Sequence, residues 1–488
     1  MKKRQKNALI LGLVFLTLIA VFVGVKLAKK VSQDAEETGD SKEEVLLDLT
    51  GSEVTRLEIG YQGETRALLL TGDSWELEGE PSLAIDQSYP ESMVAALSPL
   101  TSVRALGEAD KSEYGLSPAV CTLRATAGGS VYAFEIGSYN AANSSYYLAK
   151  EGGNEVYLVS SAIGNAAEHP LSEMVEKDSI PVLTRLNGVT LDGAEIRYEE
   201  EGLPGFYTPE YKWAYVDKST GDLSVVGDDR LTELAGKIGS MTWSEVADPL
   251  PTEALLTGKY GLKNPALTVR FDYVRVEETA TGETDSYGDP VTTETESDET
   301  FLLKIGRSYQ GAGGDALYYA MTGDSGVVYG IPAEAAEAYL HLTPEALLPT
   351  DVLRMDWSTV DSIDVTAGNV HQRIHISTQL GKDENGEKVE KFVYTEDDKT
   401  LDHDLTEEFI NYLSEMTAET TVFGKEPQGE ALLSILFKRK TEGEFAEMLF
   451  EITPYDASFA QVSFNGYSYI LVNTRDVEEL LLRFNNIR

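Results

Sequence analysis

Two histidines are the first residues whose type and spacing could bind a metal ion. His371 and His375 lie four residues apart, a spacing that suits shared metal ligation on a helix. However, the surrounding segment VHQRIHIS alternates polar and apolar residues, which is typical of a strand. On a strand the two side chains share one face about 13 Å apart, too far to bind one ion directly. The sequence therefore predicts no metal site there.

The other reactive groups are a single cysteine and many carboxylates. One Cys in 488 residues excludes an internal disulfide framework, a zinc ribbon and an iron–sulfur site. Cys121 lies in the strand-like run CTLRAT, so we expect it to be a buried, small apolar residue. No acidic residue recurs in register across the repeats described below, except those that flank strands. We therefore predict no catalytic, cofactor-binding or metal-binding residues.

Familiar catalytic motifs are also missing from the sequence. It contains no phosphate-binding Gly-x-x-x-x-Gly-Lys-Ser/Thr loop, so the chain is not itself a transporter ATPase. It contains neither Gly-x-Ser-x-Gly nor His-Glu-x-x-His. A hydrolase that uses two carboxylates across a cleft needs no such motif, and it stays open as an alternative.

Composition narrows the class of partner. Lys and Arg number 40 and Asp and Glu 82, giving a net charge of −42. Because phosphate binding depends on Lys and Arg, this balance argues against nucleic acid. Residues 277–300 hold nine acids and no base. We predict a solvated hairpin tip there. The functional alternative is that this segment binds divalent cations loosely.

A membrane segment opens the chain. Asn7 to Val25 are nineteen residues without a charge, about 28 Å of helix and enough to span a bilayer core. Basic residues flank both ends of this run, with a slight bias toward a cytoplasmic N-terminus. We predict a single-pass anchor with the bulk of the chain extracytoplasmic, while cleavage after the run stays open. Residues 31–44 read as an acidic, flexible linker.

The elements that follow are repeated three times. Tyr-Gly-Leu-Ser-Pro at 114–118 returns as Tyr-Gly-Leu-Lys-Asn-Pro at 260–265. Both copies then share Ile-Gly, a Tyr pair and a later Val-Tyr, at 136–137 and 305–306, 146–147 and 318–319, and 156–157 and 328–329. A degenerate third copy retains Phe423-Gly424, Phe450-Glu-Ile452 and Tyr469-Ile-Leu-Val472. Such a period indicates tandem modules.

The repeated unit reads as βββ-α-ββββ-α. Alternating runs such as 54–61, 64–71 and 74–79 predict strands. Helices are expected near 88–100, 229–238 and 405–416, the last capped by Asp404 or Thr406, and closing helices near 161–176, 332–340 and 474–484. The fold class is therefore α+β, with three mainly antiparallel sheets. We place the modules at 45–182, 183–350 and 351–488, after a tip and span at 1–30.

The repeated glycines and tyrosines have two interpretations. Gly and Pro suit a turn that shapes the entry to the second half of each module. The tyrosine rings either pack between sheet and helix or surface together as an aromatic contact patch.

These motifs, together with the N-terminal span, resemble the bacterial family called domain of unknown function 4340. The resemblance covers most of residues 45–350 and weakly 351–488, where Tyr-Gly-Leu is lost. It implies a membrane-anchored protein, often encoded beside an ABC transporter of the gliding-motility type, with no established enzymatic activity. It offers no catalytic residues.

The leading functional hypothesis is a non-catalytic, membrane-anchored accessory or contact subunit that meets the permease or ATPase of an ABC-type transport system. The first alternative is a cell-surface module that binds envelope polymer or protein ligands through avidity. The second is an envelope hydrolase with a carboxylate pair.

Overall fold

A computed structural model describes residues 44–487 except 184, 193, 201–209, 218, 222, 285–289, 324, 383–387 and 444. The predicted span Asn7–Val25 and nearly all of the acidic linker lie outside the described residues. Among the residues that are described, none forms a helix long and apolar enough to cross a bilayer.

The first sheet has nine antiparallel strands. In chain order they are β1 Val45–Leu47, β2 Val54–Tyr61, β3 Glu64–Thr71, β4 Ser74–Leu77, β5 Leu100–Glu108, β6 Cys121–Ala127, β7 Ser130–Asn140, β8 Ser145–Lys150 and β9 Glu155–Ser160. Their spatial order is β1-β5-β9-β8-β7-β6-β2-β3-β4. Helix α1 (Ser88–Ala96) precedes β5, and the short helices α2 (Ala162–Ala167) and α3 (Leu171–Met174) follow β9.

The second sheet also has nine strands. They are β10 Leu186–Leu191, β11 Ala194–Tyr198, β12 Trp213–Asp217, β13 Leu223–Val226, β14 Glu245–Asp248, β15 Leu267–Thr284, β16 Pro290–Gln310, β17 Ala316–Thr322 and β18 Val328–Pro332. Helices α4 (Asp228–Gly239) and α5 (Glu253–Thr257) flank β14, and α6 (Ala333–Leu340) follows β18. The order is β13-β12-β11-β10-β15-β16-β17-β18-β14.

The third sheet completes the set. Its strands are β19 Val360–Ala367, β20 Val370–Lys382, β21 Lys388–Glu396, β22 Lys399–Thr400, β23 Thr420–Thr421, β24 Leu433–Arg439, β25 Glu447–Pro454, β26 Phe459–Phe464 and β27 Tyr467–Asn473. Helix α7 (His403–Glu415) precedes β23 and α8 (Thr474–Asn486) follows β27. The order is β22-β21-β20-β19-β24-β25-β26-β27-β23.

All three sheets share one strand permutation. In each, a meander of three or four strands joins a second meander of four, whose outer strand pairs with one further strand (β5, β14 or β23). In the first sheet, β1 pairs with β5 and forms the edge. The predicted arrangement of three mainly antiparallel sheet repeats is therefore confirmed, whereas its transmembrane part is not tested by the described residues.

Each unit has two strands more than the predicted βββ-α-ββββ-α, because four strands rather than three precede the first helix and one further strand follows it. The strand after the first helix was missed because β5 alternates weakly, whereas β14 and β23 are edge strands of only four and two residues. Helix α1 was predicted to reach Leu100 but ends at Ala96. Pro99 follows closely, and residues before proline disfavour helix.

The helix caps give a second correction. Helix α7 is capped by Asp402, whose carboxylate accepts a hydrogen bond from the Leu405 backbone N–H at 3.1 Å. Asp404 or Thr406 was expected, but both lie inside the helix, so the prediction was wrong by about half a turn. Thr406 instead donates its hydroxyl to the Asp402 carbonyl.

By its contacts the chain forms two compact units, one ending at Lys177 and one comprising Asp178–Arg488. Within the second unit, the core of the third sheet includes Phe437, Phe450 and Phe409. Tyr211, Ala214, Val225 and Leu348, which precede the third sheet, belong to the same apolar cluster. The second and third sheets therefore share a core.

Candidate functional site

The Tyr-Gly-Leu motif forms a turn that lies on one face of the sheet. Gly115 has φ +68° and Gly261 has φ +69°, a left-handed conformation that glycine adopts without steric cost. The turn buries the leucine that follows, Leu116 in the first sheet and Leu262 in the second. Each motif therefore anchors its loop through one apolar side chain.

The glycine of each Ile-Gly pair packs against this turn. A Cβ atom at Gly137 would overlap the carbonyl oxygen of Tyr114, and one at Gly306 would overlap that of Tyr260. In the second sheet, the Arg307 backbone N–H also donates to the Tyr260 carbonyl at 2.9 Å. The two motifs are thus the two sides of one close backbone contact.

The third copy lacks both the Tyr-Gly-Leu turn and the glycine of the Ile-Gly pair. Thr453 stands after Ile452 where the other copies have glycine, and no atom lies within 4 Å of a Cβ built on Gly424. The sequence shows that both motifs are absent from the same copy, and this is the signal from which a contact between them could have been inferred.

A tyrosine pair packs beneath each turn. The rings of Tyr114 and Tyr147 lie 4.7 Å apart, and those of Tyr260 and Tyr319 also lie 4.7 Å apart. The preceding residue Tyr146 contacts α2 at Gly164. Because neighbouring strand residues face opposite ways, Tyr147 lies on the face away from α2. We call these pairs, with their buried leucines, the first and second loop clusters.

The tyrosine that follows Ile-Gly stands one position later in the second sheet than in the first, and this makes the two clusters differ. In the first sheet Tyr139 lies opposite Tyr146, whereas in the second sheet Ser308 lies opposite Tyr318 and Tyr309 opposite Leu317. Because it stands one position later, Tyr309 lies on the other face of the sheet. There it stacks on Tyr319, with ring centroids 3.9 Å apart. Tyr309 is therefore not the structural counterpart of Tyr139.

The first cluster places Asn140 in the corresponding position. Its side-chain amide donates to the Tyr147 hydroxyl at 2.9 Å. Tyr139 itself is 50% exposed on the other face and lies 5.1 Å from the Tyr146 ring.

In the second cluster, two carboxylates accept hydrogen bonds from tyrosine hydroxyls. The Tyr260 hydroxyl donates to Asp248 at 2.6 Å, and the Tyr309 hydroxyl donates to Glu245 at 2.7 Å. Burial, reinforced by these acidic partners, raises the pKa of both phenols above the usual range. Both tyrosines therefore remain neutral hydrogen-bond donors. Since Tyr260 is only 1% exposed, packing is their role in the second cluster.

Cys121 is buried as predicted. Its thiol donates to the Ala167 carbonyl at 3.6 Å. Burial, and secondly the charge of Glu168, raises the pKa of this thiol to about 12. Because the thiolate is the reactive form, Cys121 is chemically inert in the folded chain.

The histidines lie on β20, which confirms the predicted strand. His371 and His375 are both exposed, and Ser362 and Thr366 lie opposite them on β19. Within the described part of the chain, no group of three His, Cys, Asp or Glu residues is arranged to hold a metal ion.

The acidic segment 277–300 extends a hairpin. Strands β15 and β16 pair from Leu267 and Ile305 as far as Thr284 and Pro290. Arg185 forms a bidentate ion pair with Glu296 at 2.7 and 2.8 Å. The described side chains of this segment are almost all exposed.

A cleft lies where the second and third sheets meet. Its cavity volume is about 20 Å³, which is room for about one water molecule. Four aromatic side chains line it: Tyr211, Phe464, Tyr467 and Tyr469. Tyr467 is 37% exposed at the rim, and the other three are less than a tenth exposed.

Two charged residues line the same cleft, Asp351 and Arg354. Arg354 forms an ion pair with Asp228 and stands 5.7 Å from the Tyr211 ring centroid. Burial, and secondly the nearby Asp229, raises the pKa of the Asp351 carboxyl despite Arg354. The cleft therefore combines apolar walls with one acidic group that has no ion-pair partner among the described residues.

Comparison with known proteins bears on the first sheet. Residues 75–206 match the model of a family described as a domain of unknown function (DUF4340). This segment contains the first loop cluster and the first Ile-Gly pair, which confirms the resemblance drawn from those residues. No curated protein and no solved structure matches the chain.

Proposed function

Because residues 75–206 carry the domain of unknown function DUF4340, we propose that the chain is a non-catalytic accessory subunit of an ABC-type transport system. The uncharged run from Asn7 to Val25 would anchor it in the cell membrane. The three sheets would stand on the extracytoplasmic side and contact the permease or the complex around it. The resemblance to a family often encoded beside such transporters motivates the partner.

One observation carries the contact role, which is the difference between the two loop clusters. Tyr260 is buried in the second, whereas Tyr114 and Tyr147 are each partly exposed in the first. Val120, whose backbone N–H donates to the Gly115 carbonyl of the same turn, adds further apolar surface that is 42% exposed. Partly exposed aromatic side chains are enriched at protein interfaces.

Crosslinking in intact membranes followed by detergent purification tests the proposal. We expect a permease or ATPase subunit to co-purify with the full chain, and Tyr114→Ser to weaken that capture. Tyr198→Ser is the matched control, because Tyr198 is 53% exposed but lies on the second sheet. Recovery of the chain without any transporter subunit would refute the proposal.

A second candidate rests on the threefold repetition. Three sheets with one strand order could bind three repeats of an envelope polymer or protein ligand through avidity. A pull-down with cell-wall material, using a chain that begins at residue 45, tests it. Retention on the wall without a transporter partner would favour this alternative.

A third candidate rests on Asp351. Asp351 supplies one carboxylate in the cleft, with a pKa raised first by burial, and a carboxylate-pair hydrolase would need a second one across from it. Turnover of envelope glycans that is lost in Asp351→Asn would favour it, and no turnover by the wild-type chain would exclude it for those substrates.

A further inference from the structure

We propose that a groove between helices α4 and α6 binds a small apolar zwitterion, of the α-amino acid or short-peptide class. The groove belongs to the second compact unit, whereas the contact surface described above belongs to the first. This inference therefore does not depend on the proposed transporter role.

One face of each helix forms the groove. The α4 residues that line it recur at a spacing of three or four, so they share one side of the helix. The hydroxyl of Tyr339 on α6 donates to the Leu234 carbonyl on α4 at 2.7 Å and joins the two helices. The cavity volume is about 310 Å³, which is at the lower end of small-molecule sites. The groove therefore has room for a ligand of a few heavy atoms.

The floor of the groove is aliphatic. Leu234 and Leu347 are 3% and 1% exposed, and Ala338 and Leu342 line the groove beside them. A hydrocarbon stem that covers these side chains removes apolar surface from water, which favours binding. The floor therefore selects for a ligand with an apolar body.

The wall on α4 carries a net positive charge. Arg230 and Lys237 share one carboxylate, that of Glu233, at 3.4 and 3.3 Å. Asp229 lies 3.8 Å from Arg230, beyond hydrogen-bond distance, and accepts a hydrogen bond from Thr350 instead. Among the described residues, Arg230 makes one hydrogen bond, from Nη1 to Glu233. A guanidinium has five N–H donors, so this wall can bind a second carboxylate.

The wall on α6 carries the opposite charge. Glu337 is exposed on the groove and forms no ion pair among the described residues. A ligand with an ammonium group can therefore pair with Glu337 while its carboxylate faces Arg230 and Lys237. A purely anionic ligand would leave Glu337 unpaired, and a purely cationic one would meet the positive wall. The two walls together favour a zwitterion.

Ligand-observed NMR on the detergent-purified full chain tests the site. The probes are leucine, 4-methylpentanoate, which lacks the ammonium group of leucine, and 3-methylbutylamine, which lacks its carboxylate. We expect leucine to bind at least about fivefold more tightly than either, because only leucine pairs with both walls. Equal binding of leucine and either single-charge probe would overturn the proposal, as would the absence of leucine binding.

Variants locate the binding. Glu337→Gln should weaken leucine binding about fivefold and leave 4-methylpentanoate unchanged, whereas Arg230→Gln should weaken both. Glu334→Gln is the matched control, because Glu334 is exposed on the same helix but does not line the groove. If Glu337→Gln binds leucine as tightly as the wild type, the site is wrong. The thermal unfolding midpoint of each variant confirms that the chain is folded.

A last probe distinguishes the two sources of a zwitterion. Leucyl-leucine carries the same two charges farther apart on a larger apolar body. Tighter binding of the dipeptide than of leucine would identify a short peptide as the ligand, whereas weaker binding would identify a free amino acid.

Discussion

At Gly137 and Gly306, the absence of a side chain allows a turn to pack directly against the strand. The carbonyl oxygen of a Tyr-Gly-Leu turn lies so close to each glycine that a Cβ atom would overlap it. Gly137→Ala and Gly306→Ala should each lower the free energy of unfolding by about 1–3 kcal/mol, because the turn must move off the strand. Urea denaturation of each variant measures the change.

Gly236 is the matched control for these substitutions. It lies exposed inside α4, and no atom lies within 4 Å of a Cβ built on it. Alanine there should raise the unfolding free energy by about 0.5–1 kcal/mol, since glycine is costly within a helix. A loss of stability at Gly236 comparable to that at Gly137 would contradict our account of the contact.

Cys121 gives a pH dependence with a defined sign. Its folded pKa of about 12 lies above the ordinary value of 9.0, so the folded chain holds this proton more tightly than the unfolded chain. Its contribution to stability is present below pH 9 and is lost as pH rises from 9 toward 12. Wild type should therefore lose more stability than Cys121→Ala over that range, by up to about 1.4 kcal/mol per pH unit. Parallel curves for the two proteins would refute the burial argument.

At the scale of elements, the β15–β16 hairpin continues beyond the sheet. Its outer ladder is made of exposed side chains, so it buries little apolar area. Joining Glu278 to Glu294 through an Asn-Gly turn should change the unfolding free energy by less than about 1 kcal/mol, because loop length costs little. Chemical denaturation of the shortened chain measures the difference.

Val269 lies on the same strand inside the sheet and is fully buried. Val269→Ala should cost about 1–3 kcal/mol, which serves as the positive control. A loss of similar size on shortening the hairpin would mean that the projecting segment supports the fold.

At the scale of the whole molecule, a buried ion pair joins two distant parts of the chain within the second unit. Arg439 on β24, whose side chain is 3% exposed, donates to Glu210 at 2.8 Å. Glu210→Gln should cost about 3–5 kcal/mol, because it leaves a buried charge without its counter-ion. The double variant Glu210→Leu/Arg439→Met should recover most of this loss, and thermal unfolding compares the three proteins.

The exposed pair Arg185–Glu296, at 55% and 50% side-chain exposure, is the control. Glu296→Gln should cost at most about 1 kcal/mol. Equal losses at the two pairs would show that burial does not determine the strength of the first.

Local patterns predicted much of this fold, because period-two alternation and helix spacing are properties of adjacent residues. Strands β2 and β3 begin and end at the predicted residues, and helix α6 differs by one residue. The orientation of Tyr309 was not predicted because a shift of one position along a strand reverses a side chain while the motif looks the same. The cleft was missed because Tyr211, Asp351 and Tyr467 meet through long-range packing, which no spacing along the chain records.

The apolar core that joins the second and third sheets has a mechanical consequence. A chain pulled from its two ends should yield in two events rather than three, because those two sheets cannot separate without exposing Tyr211 and Leu348 to water. A threefold repeat in the sequence would then behave as a twofold load-bearing series.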